Sequence, residues 1–315
     1  MEERLEYRIF TYSAYLLNKF GKKVFRVGLS TGKICPHRKE NSGCIFCNPH
    51  TFTGEYQSQD LSVKEQYYDA IPRIKKACGD VQLLAYFQDE TSTFGDIKFL
   101  KQKFDEALSH PEVIGLVVST RPDYVDNEIT ELLTSYKVPV TIEIGLQSIH
   151  NKSLELLNRG HTFEQVEEAI KICGEAGLTV GVHLIMGIPN ETYNDMLETI
   201  KWMSFNKYIK QVKFHNLVVY KNTKLAEMKD IPIYTINEHI ENLGNLIPYL
   251  RGDIAVSRLF TSNIRRTQIA VDEYKGNKTQ WMNELRKYLY KHNLNQGDET
   301  DVKYDYREYY EKLSS

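Results

Sequence analysis

The sequence of 315 residues lacks any continuous apolar run near the ~18 residues that a membrane-spanning helix needs. Its first residues, Met-Glu-Glu-Arg-Leu-Glu, are acidic and carry no apolar stretch, so we expect neither a signal nor a transit peptide. The 40 Lys and Arg face 42 Asp and Glu, which excludes an overall basic field for nucleic acid but not a local basic patch. We therefore expect a cytoplasmic protein with no membrane partner.

Cysteine is also scarce, and its placement is uneven. Three of the five cysteines, Cys35, Cys44 and Cys47, lie on one Gly- and Pro-punctuated loop that follows an apolar run. The other two, Cys78 and Cys173, are isolated in helical patterns. Three thiols on one loop indicate a metal site. A disulfide with one free thiol is less consistent with the expected cytoplasmic location, because thiols stay reduced there.

Two kinds of metal site suit this loop. A structural zinc needs four ligands, and His37 or His50 would supply the fourth. An iron–sulfur cluster takes one cysteine per iron, so three cysteines on a four-iron cluster leave one iron free to bind another molecule. The residues of the loop alone leave both readings open.

Downstream of the first apolar run, strand and helix patterns alternate. Six short apolar segments are predicted as strands, at 24–29, 81–87, 113–118, 138–145, 179–186 and 211–219. Amphipathic segments lie between them, several opened by capping boxes. Such alternation predicts an α/β fold with a parallel sheet covered by helices. It stops after Leu225, and we expect residues 226–315 to form an extension that is not an independent domain, with a loosely attached polar tail from Asn293.

The polar residues follow the ends of these strands. Five strand ends carry polar or tight-turn residues. The first carries the cysteine loop, and the second to fifth carry Gln88 to Thr93, Ser119 to Arg121, Gln147-Ser148 and Met186-Gly187. In parallel α/β folds the carboxyl ends of the strands meet at one edge, where functional sites gather. The sequence therefore predicts a site at this edge.

The cysteine loop resembles that of the radical S-adenosylmethionine (radical SAM) superfamily, in the longer variant of its spacing. The resemblance implies a partial (β/α)6 barrel over residues 1–225, with a C-terminal α/β extension. It also implies a 4Fe-4S cluster on Cys35, Cys44 and Cys47, whose open iron binds S-adenosyl-L-methionine, and a reductase such as flavodoxin or ferredoxin as electron donor. Phe46, the aromatic residue before the last cysteine, would pack near the adenine.

Further cofactor-binding residues are implied by the same resemblance. Relatives hold the methionine amino group with a Gly-Gly-Glu-like turn, where this chain has Gln88-Asp89-Glu90-Thr91 without glycines. Gln147 would contact the ribose, and Arg159 would hold the carboxylate by two-point hydrogen bonding. The other candidates are Ser119, Glu143 and His183. For Glu143 the alternative is an ion pair within the core, and for His183 it is a buried structural histidine.

The match narrows to one family, because several motifs occur together. They are Thr-Arg-Pro-Asp123, Glu-Ile-Gly-Leu-Gln147, Asn-Arg-Gly-His161 and Val-Lys-Phe-His215. They are similar to the YhcC/YtqA family, related to the elongator-type branch, in which members named MnmL are linked to the wobble uridine of tRNA. The implied substrate is therefore tRNA, and the implied reaction converts a carboxymethylaminomethyl group to an aminomethyl group.

The catalytic candidates come from the sixth strand and from the extension. Lys213 and His215 alternate with apolar residues along that strand, so they share one face, and they are candidates for substrate handling if that face is the barrel interior. A cation should hold the substrate carboxylate, and the candidates are Arg121, Lys213 and Arg258. Alternative functions are a radical SAM enzyme for a small metabolite or tetrapyrrole, and a non-catalytic zinc-binding RNA module.

A basic stripe in the extension bears on RNA binding. Between residues 251 and 291, nine basic residues, among them Arg265 and Arg266, outnumber four acidic ones. Aromatic residues lie between them, namely Tyr274, Trp281, Tyr288 and Tyr290. Basic and aromatic residues together suit phosphates and unstacked bases. The alternative is an amphipathic helix with a solvated basic face.

Overall fold

The computed structural model describes residues 4–51, 53, 60–88, 90–228, 231–261 and 266–314. Asp89 and Arg265, which the sequence analysis named, lie outside the described residues. Within these ranges, no helix combines the length and the apolar character needed to cross a bilayer.

The centre of the fold is a seven-stranded parallel sheet. Six of its strands follow each other in chain order, and a seventh from the C-terminal region, β8, completes the far edge beside β6. A small antiparallel pair, β7 with β9, lies outside this sheet. The strands are β1 (Val24–Leu29), β2 (Gln82–Phe87), β3 (Val113–Thr120), β4 (Val140–Gln147), β5 (Thr179–Met186), β6 (Ile209–Asn216), β7 (Val219–Tyr220), β8 (Ala255–Arg258) and β9 (Ile269–Val271).

Helices connect the parallel strands, as right-handed parallel crossovers require. Capping boxes at Ser62, Thr162 and Thr235 begin three of them, because each side chain bonds the first-turn backbone N–H that has no helical partner. The helices are α1 (Tyr12–Phe20), α2 (Pro36–Asn41), α3 (Val63–Cys78), α4 (Ile97–Leu108), α5 (Asn127–Thr134), α6 (Asn151–Leu156), α7 (Phe163–Glu175), α8 (Tyr193–Phe205), α9 (Lys224–Glu227), α10 (Ile236–Leu246), α11 (Lys278–Lys291) and α12 (Tyr306–Ser314).

The main core lies between this sheet and the helices. Every residue of β4 is buried, as expected for a strand in the middle of a parallel sheet. Phe87 at the end of β2 packs against Phe104 of α4, with ring centroids 5.2 Å apart. The inner face of the curled sheet carries polar side chains instead, and these form the site described below. The predicted α/β half-barrel is thus confirmed.

The C-terminal region differs from the prediction in two ways. The sixth strand ends at Asn216 and not at residue 219. The apolar run at 254–259 predicts a last strand, and residues 255–258 form it as the seventh strand of the main sheet. The expectation of a loosely attached tail is wrong. Gln296 accepts a hydrogen bond from the Phe10 N–H (2.9 Å) and donates to the Ile254 carbonyl (2.8 Å), and Tyr306 is buried. The tail is polar along most of its length, so its sequence gave no indication that a few of its residues anchor it to the rest of the chain.

Candidate active site

A cavity of about 290 Å³ lies at the carboxyl ends of the strands. It is lined by the cysteine loop on one side and by residues of β5, β6 and β8 on the other. Of the residues predicted for the site, all line it except Ser119 and Glu143, which lie beneath it: the lining residues are Cys35, Cys44, Phe46, Cys47, Gln88, Glu90, Gln147, Arg159, His183, Lys213, His215 and Arg258. The structure therefore brings these predicted side chains together at one edge of the sheet.

The cysteine end of the cavity is electropositive. Arg159 donates to the Cys44 sulfur (3.2 Å), and Thr91 donates to the Cys35 sulfur (3.2 Å). Burial raises the pKa of the Cys44 thiol, but Arg159 and His37 together lower it to about 7. Burial raises the pKa of Cys47 to about 12, and the neighbouring Cys44 and Glu90 act in the same direction. One thiol of the loop is therefore poised to become a thiolate, the form that binds metal.

His37, the proposed fourth ligand of a zinc site, is held by the Asn158 carbonyl and by a hydrogen bond with Cys44. Its Nε2 lies 2.6 Å from the Asn158 carbonyl, and its ring packs so closely on Gly160 that an added Cβ there would lie 2.6 Å from it. In the part of the chain that the structure describes, no three His, Cys, Asp or Glu side chains converge as they would on a single metal ion. A cluster that takes one thiolate per iron does not require such convergence.

Glu90 connects the end of β2 to the cysteine loop. Its carboxylate accepts from the Cys35 N–H (3.0 Å) and forms a two-point ion pair with Arg38. Glu90 also has φ = 54°, a left-handed conformation that a residue other than glycine adopts at some cost in energy. In this geometry the carboxylate holds the cysteine loop in place, while Gln88 lines the cavity beside it.

Gln147 and Arg159 meet at Gly145, near the end of β4. A Cβ on Gly145 would lie 2.9 Å from Arg159 Nη2 and 3.0 Å from Gln147 Nε2, so only glycine leaves room for both side chains. Arg159 Nε donates to His161 Nε2 (3.1 Å). Burial, together with Arg159, lowers the pKa of His161 to about 2, so the ring is neutral and can accept this bond.

Beneath the cavity, Glu143 is the centre of a buried polar network. Its carboxylate pairs with Arg26 (2.8 Å) and Lys213 (3.0 Å), and it lies 2.9 Å from His183 Nε2. Burial alone would raise the pKa of Glu143, but Arg26 and Lys213 lower it well below the usual value. The carboxylate also accepts hydrogen bonds from two neighbouring hydroxyls, those of Tyr86 (2.6 Å) and Ser119 (3.1 Å).

Because of this network, the cofactor contacts that were expected for Ser119 and Glu143 are wrong. Neither reaches the cavity surface, since Ser119 donates to Glu143 and Glu143 is 2% exposed. For Glu143 the alternative, an ion pair within the core, describes the geometry. Sequence analysis missed Arg26, whose position inside the apolar run of β1 gave no indication of a partner on β4.

The opposite end of the cavity carries two neighbouring cations. Lys213 of β6 and Arg258 of β8 are paired in the sheet register. Burial lowers the pKa of Lys213 to about 7, and Arg258 and Arg26 add to this effect while Glu143 opposes it. Burial also lowers the pKa of Arg258. Nearby, burial and Arg258 lower the pKa of His215 well below its usual value, so this imidazole is neutral.

Two of the aromatic residues in the basic stripe of the extension are buried. Tyr274 and Trp281 are 4% and 6% exposed and pack in the main core, and Arg251 bonds the backbone carbonyls of Ser204 and Ile209. The expectation that these aromatic residues bind unstacked bases is therefore wrong for Tyr274 and Trp281. Trp281 lies on the buried side of the amphipathic helix α11 with Leu285 and Leu289, and Tyr274 lies in the segment before this helix.

A curled parallel sheet with three thiols at the carboxyl ends of its strands defines an α/β-barrel metalloenzyme. Residues 29–203 match the family model of the radical SAM superfamily, and residues 209–291 match that of the radical SAM C-terminal domain. The chain belongs to the radical SAM superfamily. As an enzyme of this family it uses a 4Fe-4S cluster and S-adenosyl-L-methionine. This replaces the zinc reading of the cysteine loop.

Two curated relatives and one solved structure extend this assignment. Protein YhcC of Escherichia coli K12 is 31% identical over 288 residues, which are 89% of this chain and 91% of that protein. The tRNA uridine(34) acetyltransferase of Methanocaldococcus jannaschii is 32% identical over 201 residues, 61% of this chain and 36% of that longer protein. The archaeal Elp3 structure from Methanocaldococcus infernus superposes with a TM-score of 0.68 at 21% identity, covering 87% of this chain and 64% of that one, which shows a shared fold.

The residues at the cysteine end fit the cluster. Three thiols on one loop supply soft ligands, and Arg159 and Thr91 already donate to two of the sulfurs, as hydrogen bonds beside metal ligands commonly do. Cys35, Cys44 and Cys47 would hold three irons and leave the fourth for S-adenosyl-L-methionine. When bound, the cluster and this cofactor supply a deoxyadenosyl radical, a strong acceptor of hydrogen atoms.

Proposed function

We propose that this enzyme modifies the wobble uridine of tRNA, and that it converts a carboxymethylaminomethyl group, with or without 2-thiolation, to an aminomethyl group. The observation that carries the proposal is the cation pair, Lys213 and Arg258, at the end of the cavity away from the cysteines. The similarity to a tRNA uridine(34) acetyltransferase supports the choice of tRNA as substrate.

Charge at this end of the cavity favours a carboxylate on the substrate. Glu143 already pairs with Arg26 and Lys213, and the Arg258 guanidinium has neither a hydrogen-bond nor an ion-pair partner among the described residues. Arg258 is half-buried, and a cation partly removed from water without a counter-ion is costly, so a bound anion would lower that cost. The carboxymethylaminomethyl group ends in a carboxylate, and a guanidinium can hold a carboxylate by two parallel hydrogen bonds.

The proposed chemistry acts on the carbon between this carboxylate and the amine. Loss of a hydrogen atom to the deoxyadenosyl radical would leave a carbon radical, and return of one electron from this carbon radical to the cluster, which gave one electron to S-adenosyl-L-methionine, would give an iminium. Water adds to the iminium carbon and the C–N bond breaks, so the amine stays on the uridine and the two-carbon unit leaves as an oxo acid. With a pKa of about 7, Lys213 can accept a proton from the added water and return it to the amine nitrogen. His183 and His215, neutral and beside Lys213, contribute polar contacts without further charge.

Two partners follow from this proposal. One is tRNA itself, whose anticodon loop can present an unstacked base to the cavity. The other is a one-electron donor, such as flavodoxin or ferredoxin, that reduces the cluster before the first turnover and again whenever the cluster has lost this electron.

The test uses tRNA from a strain that lacks this enzyme. We expect the reconstituted wild-type protein, incubated anaerobically with reductant and S-adenosyl-L-methionine, to convert carboxymethylaminomethyluridine to aminomethyluridine, as measured by mass spectrometry of digested tRNA. Arg258→Gln should lower the conversion rate by about 100-fold, because a charged hydrogen-bond donor to the substrate is lost. Arg73→Gln, on the exposed side of α3, is the matched control and should keep the wild-type rate.

Release of deoxyadenosine without any change in tRNA, accompanied by turnover of a small metabolite or tetrapyrrole, would contradict this function. Wild-type conversion by Arg258→Gln would leave the reaction standing and would contradict the assignment of Arg258 to the substrate carboxylate.

A further inference from the structure

A third arginine at the cavity, Arg121, has one nitrogen that no group in the described part of the chain uses. Its Nε and Nη2 both donate to Asp123, at 3.3 and 2.9 Å. The third nitrogen, Nη1, is buried without a hydrogen-bond partner, although the residue lines the cavity and is only 4% exposed. Buried polar atoms in folded proteins are rarely left unpaired, so this nitrogen indicates an acceptor that enters the cavity.

The backbone at the end of β3 brings Arg121 to the cysteine end of the cavity. Arg121 is extended, with φ = −83° and ψ = 147°, so the alternation of β3 continues and its side chain lies on the same inner face as Ser119. The Ser119 carbonyl accepts from the Ser92 N–H (3.2 Å), and Thr91, the residue before Ser92, donates to the Cys35 sulfur. The acceptor for Nη1 should therefore lie beside the cysteine loop.

Two other arginines at this end already have their tasks. Arg38 forms a two-point ion pair with Glu90, and Arg159 donates to the Cys44 sulfur. Among the described residues, Nη1 and Nη2 of Arg159 each make one hydrogen bond, so each keeps a second N–H for the methionine carboxylate that the family resemblance assigns to this residue. The N–H groups on Nη1 of Arg121 are therefore left for a different acceptor.

The cluster itself supplies an acceptor of the right kind. A four-iron cluster carries inorganic sulfides, and with three thiolate ligands it is an anion that becomes more negative when it takes up an electron. Hydrogen bonds to the sulfurs and net charge are among the factors that set the reduction potential of such a cluster. A cationic N–H donor stabilises the more negative, reduced state more than the oxidised one, and this raises the potential.

We propose that Arg121, oriented by Asp123, donates from Nη1 to a sulfide of the cluster and raises its reduction potential. The one-electron donor then loses its electron to the cluster more readily, and no bond is made or broken in this step. Asp123 holds two of the three nitrogens, so the guanidinium is oriented before the cluster is assembled and loses little side-chain entropy. The proposal concerns the cluster and stands whether or not tRNA is the substrate.

The experiment measures the reduction potential of the cluster without S-adenosyl-L-methionine. The cluster-loaded protein, at matched iron content, is titrated anaerobically, and the reduced cluster is quantified by electron paramagnetic resonance. For Arg121→Gln we expect the equilibrium constant for one-electron reduction to fall about tenfold, the effect of one charged hydrogen bond, which lowers the midpoint potential by about 60 mV. Arg121→Lys keeps the charge but not the planar fork, so its shift should have the same sign and be smaller. Arg73→Gln, on the exposed side of α3, is the control and should keep the wild-type potential.

A second measurement detects the hydrogen bond itself. In protein whose arginines carry the heavy nitrogen isotope, pulsed electron paramagnetic resonance of the reduced cluster should show a nitrogen coupling that Arg121→Gln lacks. The proposal is overturned if both Arg121 variants are reduced at the wild-type potential, or if Arg121→Gln keeps every nitrogen coupling of the wild type. It is also overturned if the potential shifts only after S-adenosyl-L-methionine is added, because Nη1 would then serve that cofactor and not the cluster. If Arg121→Gln does not retain a cluster, the potential of Arg121→Lys decides by the same criteria.

Discussion

Single residues determine the charge of the buried polar network beneath the cavity, and Glu143 is the clearest example. This carboxylate lies between cations from two other strands, Arg26 of β1 and Lys213 of β6, so it links both sides of the sheet through one side chain. Attraction between buried charges only offsets the cost of removing them from water, so such a network contributes modest net stability while intact. Removing one member leaves the others unpaired.

We therefore expect Glu143→Gln to be strongly destabilising. The amide keeps the shape but removes the charge that balances Arg26 and Lys213, so the free energy of unfolding should fall by about 3–5 kcal/mol. Urea unfolding followed by circular dichroism measures this loss. Glu131→Gln, an exposed glutamate on α5, should change stability by less than about 0.5 kcal/mol. A similar loss in the free energy of unfolding for both variants would show that the charge of Glu143 contributes no more to stability than that of an exposed glutamate.

Gly160 is the basis of a second prediction about a single residue. It has φ = 67°, and a Cβ there would meet the His37 ring, whereas Gly177, with φ = 84°, has nothing within 4 Å of such a Cβ. Both Gly→Ala variants carry the same backbone strain of about 1 kcal/mol, but only Gly160→Ala displaces His37 from Cys44 and Asn158. We expect Gly160→Ala to lower the iron content after reconstitution and Gly177→Ala to leave it unchanged. Equal iron content in the two variants would contradict this role of His37.

The sequence predicted site residues unevenly, for physical reasons. Cys35, Cys44 and Cys47 were found because metal ligands recur at short spacings, and Lys213 because charge is unusual in a buried strand. Arg26 was not found, because its contact with Glu143 depends on which strands share the inner face. The engagement of each Arg159 nitrogen is likewise a matter of distances, which no spacing encodes.

At the scale of elements, helices α10 and α11 enclose a buried histidine. His239 of α10 is 1% exposed and lies against Phe260 and Tyr274, with ring centroids 5.4 and 6.3 Å away. Burial lowers its pKa to about 4, although a backbone contact with Leu259 partly opposes the shift. The ring is therefore neutral in the folded protein at neutral pH.

Stability should consequently fall as the medium is acidified. The unfolded chain binds a proton on His239 near its ordinary value of about 6.5, whereas the folded chain binds it only near 4, so the unfolded state holds more protons between these values. The wild type should have a larger free energy of unfolding than His239→Asn at pH 7, and this difference should decrease by about 2 kcal/mol between pH 7 and pH 5. Urea midpoints at both pH values measure this change. His292→Asn, at an exposed position, is the control. An equal change with pH in both variants would show that the effect does not come from burial of His239.

Elements were more predictable than the contacts between them. The strand at 179–186 and the helix starts at Ser62, Thr162 and Thr235 followed directly from apolar runs and capping residues, which act locally. The pairing of β8 with β6 could not be predicted, because a four-residue strand gives little pattern and its place in the sheet depends on long-range packing.

At the scale of the whole molecule, the C-terminal region is joined to the barrel in several places. β8 is the last strand of the main sheet, and α11 contributes Trp281, Leu285 and Leu289 to the same core as the barrel helices. Beyond α11, the tail binds back to the N-terminal segment, since Thr11 Oγ1 and Tyr310 OH are 2.5 Å apart. The sequence analysis treated residues 226–315 as an extension without independent stability, and these contacts supply a physical reason for that interpretation.

We expect the barrel and this extension to unfold together, and the two tryptophans allow a direct test. Trp202 lies on α8 of the barrel and Trp281 on α11 of the extension. Each of the variants Trp281→Phe and Trp202→Phe keeps one reporter, and in each the urea transition seen by fluorescence should coincide with that seen by circular dichroism, as in a single cooperative unit. Because every comparison is made within one variant, the destabilisation caused by the substitution cancels. A Trp281 transition at lower urea than the circular dichroism transition would show that the extension unfolds first, and the contacts of β8 and the tail would then not be enough to couple it to the barrel.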